Sequence, residues 1–520
     1  MSTNKRVLVV GAGSSGLAAV QQLLQAGLDP VCAEANSGIG GAWRYDEQPG
    51  QCTVVFDEHG AAVVSAPGES DDKGRPPPSP MYASLHTNVP TALMQYRGQP
   101  FPGSVPLFCS HALVQSYLES FSTAFLPYIR FDTRLVRARH TQGSDGGPQK
   151  RRYAELRSTL DEQAEVQKEQ FDAVIIATGH YSKAYIPWVE GLSLFKGEVL
   201  HSRWYRNADA LKDKTVLVIG NSASGYDITR ELASSIHQRR QEGATSLPRI
   251  YQSARSPPAL GIPFDSPESP EYGREVGLYP PIKKVEGGRI EFEDGRCVED
   301  VEVIMFATGY LFSFPFCDTA DAPFASHPLT YAPPLPHSAS GYSETVATAR
   351  PSLRGEPSRR GGLRVHNLDD RMTFYLPDPT LAFLGLPYLV IPFPLAQLQA
   401  RLASLHFASS PRLPTPLTFI PDPAARLDTS SPPTSSTSPE DSAPESRGPV
   451  IWGHPKQYDM HDRWLKECGD VDEDGKAVEK VGDTEKGGVT GERGVWGLTS
   501  VAERDLRRGA KGLRKAILGY

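Results

Sequence analysis

Two glycine-rich runs have the residue types and spacing to hold a dinucleotide. The first is Gly11-Ala12-Gly13-Ser14-Ser15-Gly16, and the second is Gly220-Asn221-Ser222-Ala223-Ser224-Gly225, with a serine at the middle glycine's place. The chemistry lies in the backbone. The first glycine permits a tight turn, the second lets the chain approach a pyrophosphate, and the third allows the following helix to pack closely, so that its free N–H groups face the anion. At Ser222 a hydroxyl can reach a phosphate, and so small a side chain obstructs the approach little. Two such loops in one chain point to two bound dinucleotides, as a hydride transfer from one cofactor to another requires.

The residue that follows each unit distinguishes the two sites. Glu34 closes the first, where a carboxylate accepts hydrogen bonds from an adenosine ribose and repels a 2′-phosphate, so this site suits FAD or NAD and disfavours NADP. The second closes with Ser253-Ala254-Arg255, a hydroxyl and a guanidinium that suit a 2′-phosphate through charge-assisted bonds, so NADPH is expected there. The plain alternative for Arg255 is a solvated loop cation. Ser222, Ser224, Gly225, Tyr226 and Asp227, at the start of the second helix, are taken as cofactor-binding with Gly220. After the first acid, the glycines of Gly38-Ile39-Gly40-Gly41-Ala42-Trp43 let backbone pass close to a bound group, and Trp43 is read either as flanking a flavin or as a core or rim tryptophan.

The elements needed to position these groups are present. Residues 5–10 form a short apolar run, residues 14–26 have helical periodicity in Leu17, Val20, Leu23 and Leu24, and residues 31–34 resume as a strand. The pattern recurs as a strand at 214–219, a helix at 225–238 and a strand at 249–252. Residues 173–179 and 303–310 each end a strand in Ala-Thr-Gly, at the carboxyl edge where doubly wound sheets bind ligands.

Composition narrows the class. The chain has 520 residues, 22% of them charged and 39% hydrophobic, which fits a soluble protein of more than one domain. A net charge of -7 gives no reason to expect nucleic acid or an anionic membrane as partner. The six cysteines form no C-x-x-C pair, so neither a disulfide framework nor a metal site is expected, and a reducing, cytoplasmic location fits. The strand at 6–10 leaves no room for a signal peptide ahead of it. The apolar stretch 381–395 is broken by Gly385, Pro387, Pro392 and Pro394, so it reads as a buried strand and turn feeding a helix over 395–408 and not as a membrane span. Segments 54–80, 323–362 and 409–449 read as loop-rich or disordered, the first with room for a hairpin and the last containing the Ser- and Pro-rich run 430–439. The basic tail with Arg504, Arg507, Arg508, Lys511, Arg514 and Lys515 reads as a solvated surface helix in preference to a membrane or partner contact.

Glu34 followed by Gly40-Gly41-Ala42-Trp43 resembles the flavin-containing monooxygenases, class B flavoprotein monooxygenases. Thr87-Asn88-Val89-Pro90 resembles their Thr-Asn active-site segment, which Met94-Gln95-Tyr96 continues. Phe195, Gly197, His201 and Tyr205 fit F-x-G-x-x-x-H-x-x-x-[YF] at every fixed position. Phe306-Ala307-Thr308-Gly309-Tyr310 is similar to the late strand-end motif, and residues 379–387 and 397–401, including Gln399, to the closing segment. The second loop of this family often has serine where Ser222 stands. The resemblance runs from Arg6 to Arg401. The chain departs from it at Arg97-Gly98-Gln99-Pro100, where Asp-Phe-Pro is usual, and in the enlarged 54–80 segment. No long hydrophobic C-terminal stretch is present, so the soluble fungal and bacterial members are the better comparison.

The resemblance implies an α/β two-dinucleotide-binding-domain flavoprotein, with a Rossmann-like FAD domain (1–204 and 311–520) and an inserted Rossmann-like NADPH domain (205–310). It implies FAD, NADPH and O2, a C4a-hydroperoxyflavin, and S- or N-oxygenation of a small soft nucleophile, N,N-dimethylaniline among the amines of that class. Asn88 is the implied catalytic residue, through hydrogen bonds near flavin and nicotinamide. Thr87, Val89, Gly41, Ala42, Trp43, Thr308 and Gln399 join the glycine loops as cofactor-binding residues, and His201 is structural and not catalytic. A homodimer is left open, and no metal is implied. Three rivals stand beside this reading. A Baeyer–Villiger monooxygenase would show Trp followed by Pro or Asp where Tyr205-Arg206 occurs. A disulfide reductase would need a redox dithiol. An uncoupled NADPH oxidase or a non-catalytic nucleotide-binding protein would share the same motifs.

Overall fold

A computed structural model describes residues 4–65, 78–141, 151–161, 163–258, 260–333, 361–411, 413, 416–422, 450–472, 474, 478 and 496–520. Two five-stranded sheets organise it. In the first, the order is Leu381–Phe383, Ala173–Ile176, Arg6–Val10, Asp29–Ala33 and Ile129–Arg130, and every neighbouring pair is parallel. In the second, the order is Glu198–His201, Val303–Phe306, Val216–Ile219, Ile250–Ser253 and Val276–Tyr279, again all parallel. Such strands are apolar along their length because helices and loops cover both faces. Val7, Leu8 and Val9 are fully buried, as are Val216, Leu217 and Val218.

The central three strands of the two sheets share one register. Val10 lies opposite Ala33 and Ile176, and Ile219 lies opposite Ser253 and Phe306. In both sheets, therefore, an Ala-Thr-Gly strand end stands beside a glycine turn, and the following helix, Ser14–Gln25 or Ala223–Gln241, leaves from the same edge.

The edge strand Glu198–His201 belongs to the second sheet although it precedes residue 205, and a short antiparallel ribbon of Lys183–Ala184 with Tyr310–Leu311 joins the two halves. Segment 54–80 holds a hairpin, Thr53–Phe56 with Ala62–Ser65, whose Val54, Phe56 and Val64 pack into the core around Ile186, Trp204 and Phe306. Residues 66–77, 334–360 and 423–449 lie outside the described residues, and with them the Ser- and Pro-rich run at 430–439.

Leu381–Phe383 is a buried edge strand of the first sheet, and the helix after it runs Pro392–Phe407 and packs against Ser14–Gln25. The helix starts earlier than 395 because prolines occupy its first turn, where no backbone N–H is needed. Among the described residues no helix is long and apolar enough to cross a membrane.

The basic tail is a helix, Val501–Leu518, opened by a Ser500–Glu503 capping box. It is not simply a solvated surface helix. Ala510 and Arg514 are each 2% exposed, and the helix is tied to both halves of the molecule. Arg504 bonds Asp459 at 2.9 Å and Asp462 at 2.7 Å, while Arg514 faces Asp227 at 3.7 Å.

Candidate functional site

One cavity of about 1760 Å3 runs between the carboxyl edges of the two sheets. That is larger than the roughly 300–1,000 Å3 of an ordinary ligand pocket and leaves room for more than one ligand. Both glycine loops, both Ala-Thr-Gly ends and the Thr87–Val89 segment line it.

The two loops are built alike. Gly11 and Gly220 both have φ of +99°, and a Cβ at either would lie 2.8 Å from the carbonyl oxygen of the neighbouring strand end, Ala177 or Ala307. A left-handed φ and that approach both demand glycine. Gly16 and Gly225 lie against the turns themselves: a Cβ there would sit 1.7 Å from the Gly11 oxygen and 2.1 Å from the Gly220 oxygen. The middle position is different. Gly13 has φ -74° and Ser222 φ -73°, backbone that any residue adopts, so serine fits the second loop without strain. At Gly13 too a Cβ would make only ordinary contact, 3.5 Å from the Gly41 Cα, and the tight position in the first loop is that of its crossing partner. Gly41 crosses over Gly13, and a Cβ on Gly41 (φ +56°) would stand 2.9 Å from the Gly13 Cα. Ser14, Ser15 and Ser224 line the cavity beside these turns.

Glu34 is 4% exposed and still lines the cavity. Its Oε2 accepts from the Ala12 N–H at 2.6 Å and its Oε1 from the Asn36 N–H at 2.8 Å. The carboxylate is thus held in one orientation at the strand end. In the second unit Ser253 and Arg255 line the cavity; the Ser253 hydroxyl donates to the Pro280 carbonyl at 2.8 Å, and Arg255 is exposed with no ion pair to a described residue.

Thr87 is fixed by a two-way exchange with Cys109. Its N–H donates to the Cys109 carbonyl at 2.9 Å, and its Oγ1 accepts from the Cys109 N–H at 3.2 Å. This presents Asn88 to the cavity, where its amide makes no hydrogen bond to a described residue. Downstream, the Tyr96 hydroxyl donates to the Ser14 carbonyl at 2.6 Å, tying the segment to the first glycine loop. Ala42, Trp43 and Val89 line the same region, and Trp43 meets Phe393 edge-on at 6.1 Å. Thr308 lines the cavity at the second strand end and donates its hydroxyl to the Tyr185 carbonyl.

Several residues expected to bind cofactor do not line the cavity and act through their neighbours. Ala12 is buried and orients Glu34, while Gly16 and Gly225 set the helix packing. Tyr226 stacks on Phe264 at 5.0 Å and accepts from the Ile262 N–H. Asp227 is buried, accepts from the Tyr82 hydroxyl and faces Arg230 and Arg514. Gln399 accepts from the Gly385 N–H at 2.9 Å and donates to Thr373, so it positions Gly385, which does line the cavity.

His201 lies off the cavity and is fully buried. Its Nδ1 accepts from the Arg203 N–H at 3.1 Å, so the proton sits on Nε2, which donates to the Gly309 carbonyl at 2.9 Å. Burial, with the nearby Arg203 cation, pushes its pKa down to about 3. A neutral imidazole thus staples one strand end to the late Ala-Thr-Gly turn. In the same motif Gly197 passes so near Glu302 that a Cβ would lie 2.4 Å from its carbonyl oxygen, and the Tyr205 hydroxyl donates to Glu231 at 2.6 Å.

Sequence reading missed two groups. Tyr82 and Ser84 donate to Asp227 and Glu231, joining the Thr-Asn segment to the second nucleotide helix. No local signal marks such a long-range pair. His180 follows the first Ala-Thr-Gly, lines the cavity among Tyr181, Tyr388 and Phe312, and is held down to about pKa 4 by burial. Its place directly after the strand-end motif was visible in the sequence.

Two register-matched parallel sheets, with glycine turns facing one cavity, define a two-dinucleotide-binding oxidoreductase of Rossmann type. Residues 4–57, 68–254 and 267–325 match the model of the FMO-like, flavin-binding monooxygenase-like family, and the chain belongs to that family. The chain is 27% identical over 435 residues to the thiol-specific monooxygenase of Saccharomyces cerevisiae, covering 81% of this chain and 80% of that one. It is 28% identical over 456 residues to the flavin-containing monooxygenase ustF2 of Aspergillus flavus, covering 79% of this chain and 83% of that one. The fold is that of S-allyl-L-cysteine S-oxygenase from Allium sativum, with a TM-score of 0.66 at 22% identity over 99% of this chain and 94% of that one. The protein is therefore a flavin-dependent monooxygenase, an enzyme that acts on small molecules and uses a pyridine nucleotide.

Proposed function

We propose that the protein holds FAD at the first glycine loop and NADPH at the second, and uses O2 to oxygenate the sulfur or nitrogen of a small soft nucleophile. The balance is one NADPH, one proton and one O2 consumed for each NADP+, water and oxygenated product. The observation that carries this reading is the contrast at the two strand ends, Glu34 in the first unit and Ala254-Arg255 in the second. A fixed carboxylate receives a ribose with free hydroxyls, and an unpaired guanidinium receives a 2′-phosphate.

The described residues fit both groups. The crossing leaves no room for a Cβ on Gly41, and with Gly13 beneath it backbone N–H groups are left to face a diphosphate, while Ser222 and Ser224 take that place in the second loop. Bound flavin supplies hydride acceptance and oxygen activation. The chain's own work is to orient and to exclude water. Asn88 offers an amide that donates and accepts without releasing a proton, Thr87, locked to Cys109, fixes the segment that carries it, and Val89, Trp43 and Thr308 line the same cavity. Sulfur as the acceptor draws support from the thiol-specific relative in yeast.

The test is to purify the flavin-loaded protein and follow NADPH oxidation, O2 uptake and product with a thioether, N,N-dimethylaniline and a cyclic ketone. Sulfoxide or N-oxide formed in step with NADPH supports the reading. Lactone from the ketone alone points to Baeyer–Villiger chemistry, and peroxide with no product identifies an oxidase.

A further inference from the structure

The C-terminal helix Val501–Leu518 contributes one side chain to the wall of the main cavity, Arg507. Arg507, Ala510 and Arg514 are spaced i, i+3 and i+7, which places them on one helical face. That face is turned inward, since Ala510 and Arg514 are buried. The helix packs against Thr91–Met94, the turn that begins three residues after Asn88. Arg507 is thus borne by an element beside the Thr-Asn segment.

The other cavity-lining cations have work assigned or partners nearby. Arg44 donates to the Ser37 hydroxyl at 3.0 Å, Arg134 and Lys183 have partners, and Arg255 belongs to the second nucleotide unit. Arg507 forms no ion pair with a described residue. Burial lowers its pKa, opposed by the nearby Tyr458 phenol. A partly buried guanidinium that stays charged and has no counter-ion is a site waiting for an anion. Its carrier is fixed in advance by Arg504 on Asp459 and Asp462, by the Ser500–Glu503 box, and by Arg230 stacked at 3.9 Å on Tyr520 just beyond the helix.

We propose that Arg507 anchors the carboxylate of the substrate, so that this enzyme selects soft nucleophiles bearing a carboxylate group. The inference rests on the oxygenase reading given above. The competing source of an anion in this cavity is a phosphate of the nicotinamide nucleotide. The two glycine turns serve the diphosphates. Arg514, which does reach the second nucleotide helix at Asp227, lies seven residues and about 10 Å along the helix from Arg507.

The experiment uses the full-length, FAD-loaded protein and its Arg507→Ala and Arg507→Lys variants. The probes are S-allyl-L-cysteine and its methyl ester, which keeps the thioether and the ammonium but loses the carboxylate. Two quantities are read: saturable binding to the oxidised enzyme, followed by the flavin difference spectrum, and kcat/KM for S-oxygenation. Arg507→Ala is expected to lower the acid-to-ester preference by roughly ten- to a hundredfold, the range for one charge-assisted bond, with the loss in KM and not kcat. Arg507→Lys recovers part of it, and NADPH affinity is unchanged. Equal losses for acid and ester overturn the proposal, as does a matching loss of NADPH affinity, which makes Arg507 a cofactor residue. Failure of the acid to bind the wild-type protein also overturns it. Carboxylate-dependent binding without oxygenation leaves the anion site standing and refutes the oxygenase reading instead.

Discussion

Glu34 and Ala254 occupy the same place in the two repeats. Gly11 donates to Ala33 and Gly220 to Ser253, each at 2.8 Å; the next residue then donates to the neighbouring strand, Glu34 to Arg130 at 2.9 Å and Ala254 to Tyr279 at 3.1 Å. The second unit therefore lacks the acid at its own position, and Arg255 stands one residue further on. Removing the carboxylate lifts the repulsion of a 2′-phosphate, and the guanidinium adds attraction. Arg255→Ala is expected to raise KM for NADPH by roughly ten- to a hundredfold and to change KM for NADH little. Ala254→Glu restores the acid and should push the preference toward NADH. Ratios of kcat/KM for the two nucleotides check both, and an unchanged ratio in both variants removes the basis for NADPH specificity.

Asn88 faces the cavity with an amide free of hydrogen bonds to described residues, while Thr87 beside it is locked to Cys109. The support is thus separate from the functional group. Asn88→Ala should keep its flavin, seen as an unchanged flavin-to-protein ratio, while the yield of oxygenated product per NADPH falls at least tenfold, a loss expected for one buried hydrogen bond to a reacting system. Normal product yield from this variant would sink the assignment.

Much of this arrangement was legible because it is local. A strand, a glycine turn, a helix and a strand follow one another in sequence, and the Ala-Thr-Gly ends announce the ligand edge. What was not legible is what distant segments do to each other. Asp227 looked like a cofactor residue from its place one turn into the second helix, but its carboxylate accepts from Tyr82 and faces Arg514, partners 145 and 287 positions away. Gln399 likewise acts on the site through the backbone of Gly385. The basic tail misled for the opposite reason. Its charges suit solvent, and only the fold brings Asp459, Asp462 and Asp227 to meet them.

The crossing of Gly41 over Gly13 makes a sharp stability prediction. Gly41→Ala must hold an alanine at φ +56° with its Cβ 2.9 Å from the Gly13 Cα. Left-handed backbone at a non-glycine residue costs about 1–3 kcal/mol, and relieving the contact moves the loop that faces the diphosphate. The variant should lose bound FAD on gel filtration and melt several degrees lower. Gly103→Ala, where a Cβ meets nothing within 4 Å and φ is not left-handed, serves as the control. Equal flavin retention in the two variants contradicts the cradle.

Three buried histidines set a pH dependence of stability. Burial lowers the pKa of His180 to about 4, that of His201 to about 3 and that of His461 to about 3, the last two with help from nearby arginines. In the unfolded chain each titrates near about 6.5. Above that value neither state carries the proton, so these groups add no pH dependence. Below it the unfolded chain binds protons that the folded chain refuses, and the free energy of unfolding falls as pH drops toward 4. Each histidine contributes up to about 1.4 kcal/mol per pH unit, and carboxylates contribute little while the pH stays above 5.5. Urea unfolding between pH 7.5 and 5.5 should show stability declining as the pH is lowered. His461→Gln, which lies away from the cavity, should reduce that slope by about one proton's worth. An unchanged slope in this variant means that His461 is protonated in the folded protein, which would place water or a counter-ion beside a ring that the structure encloses with Tyr458 and Trp464.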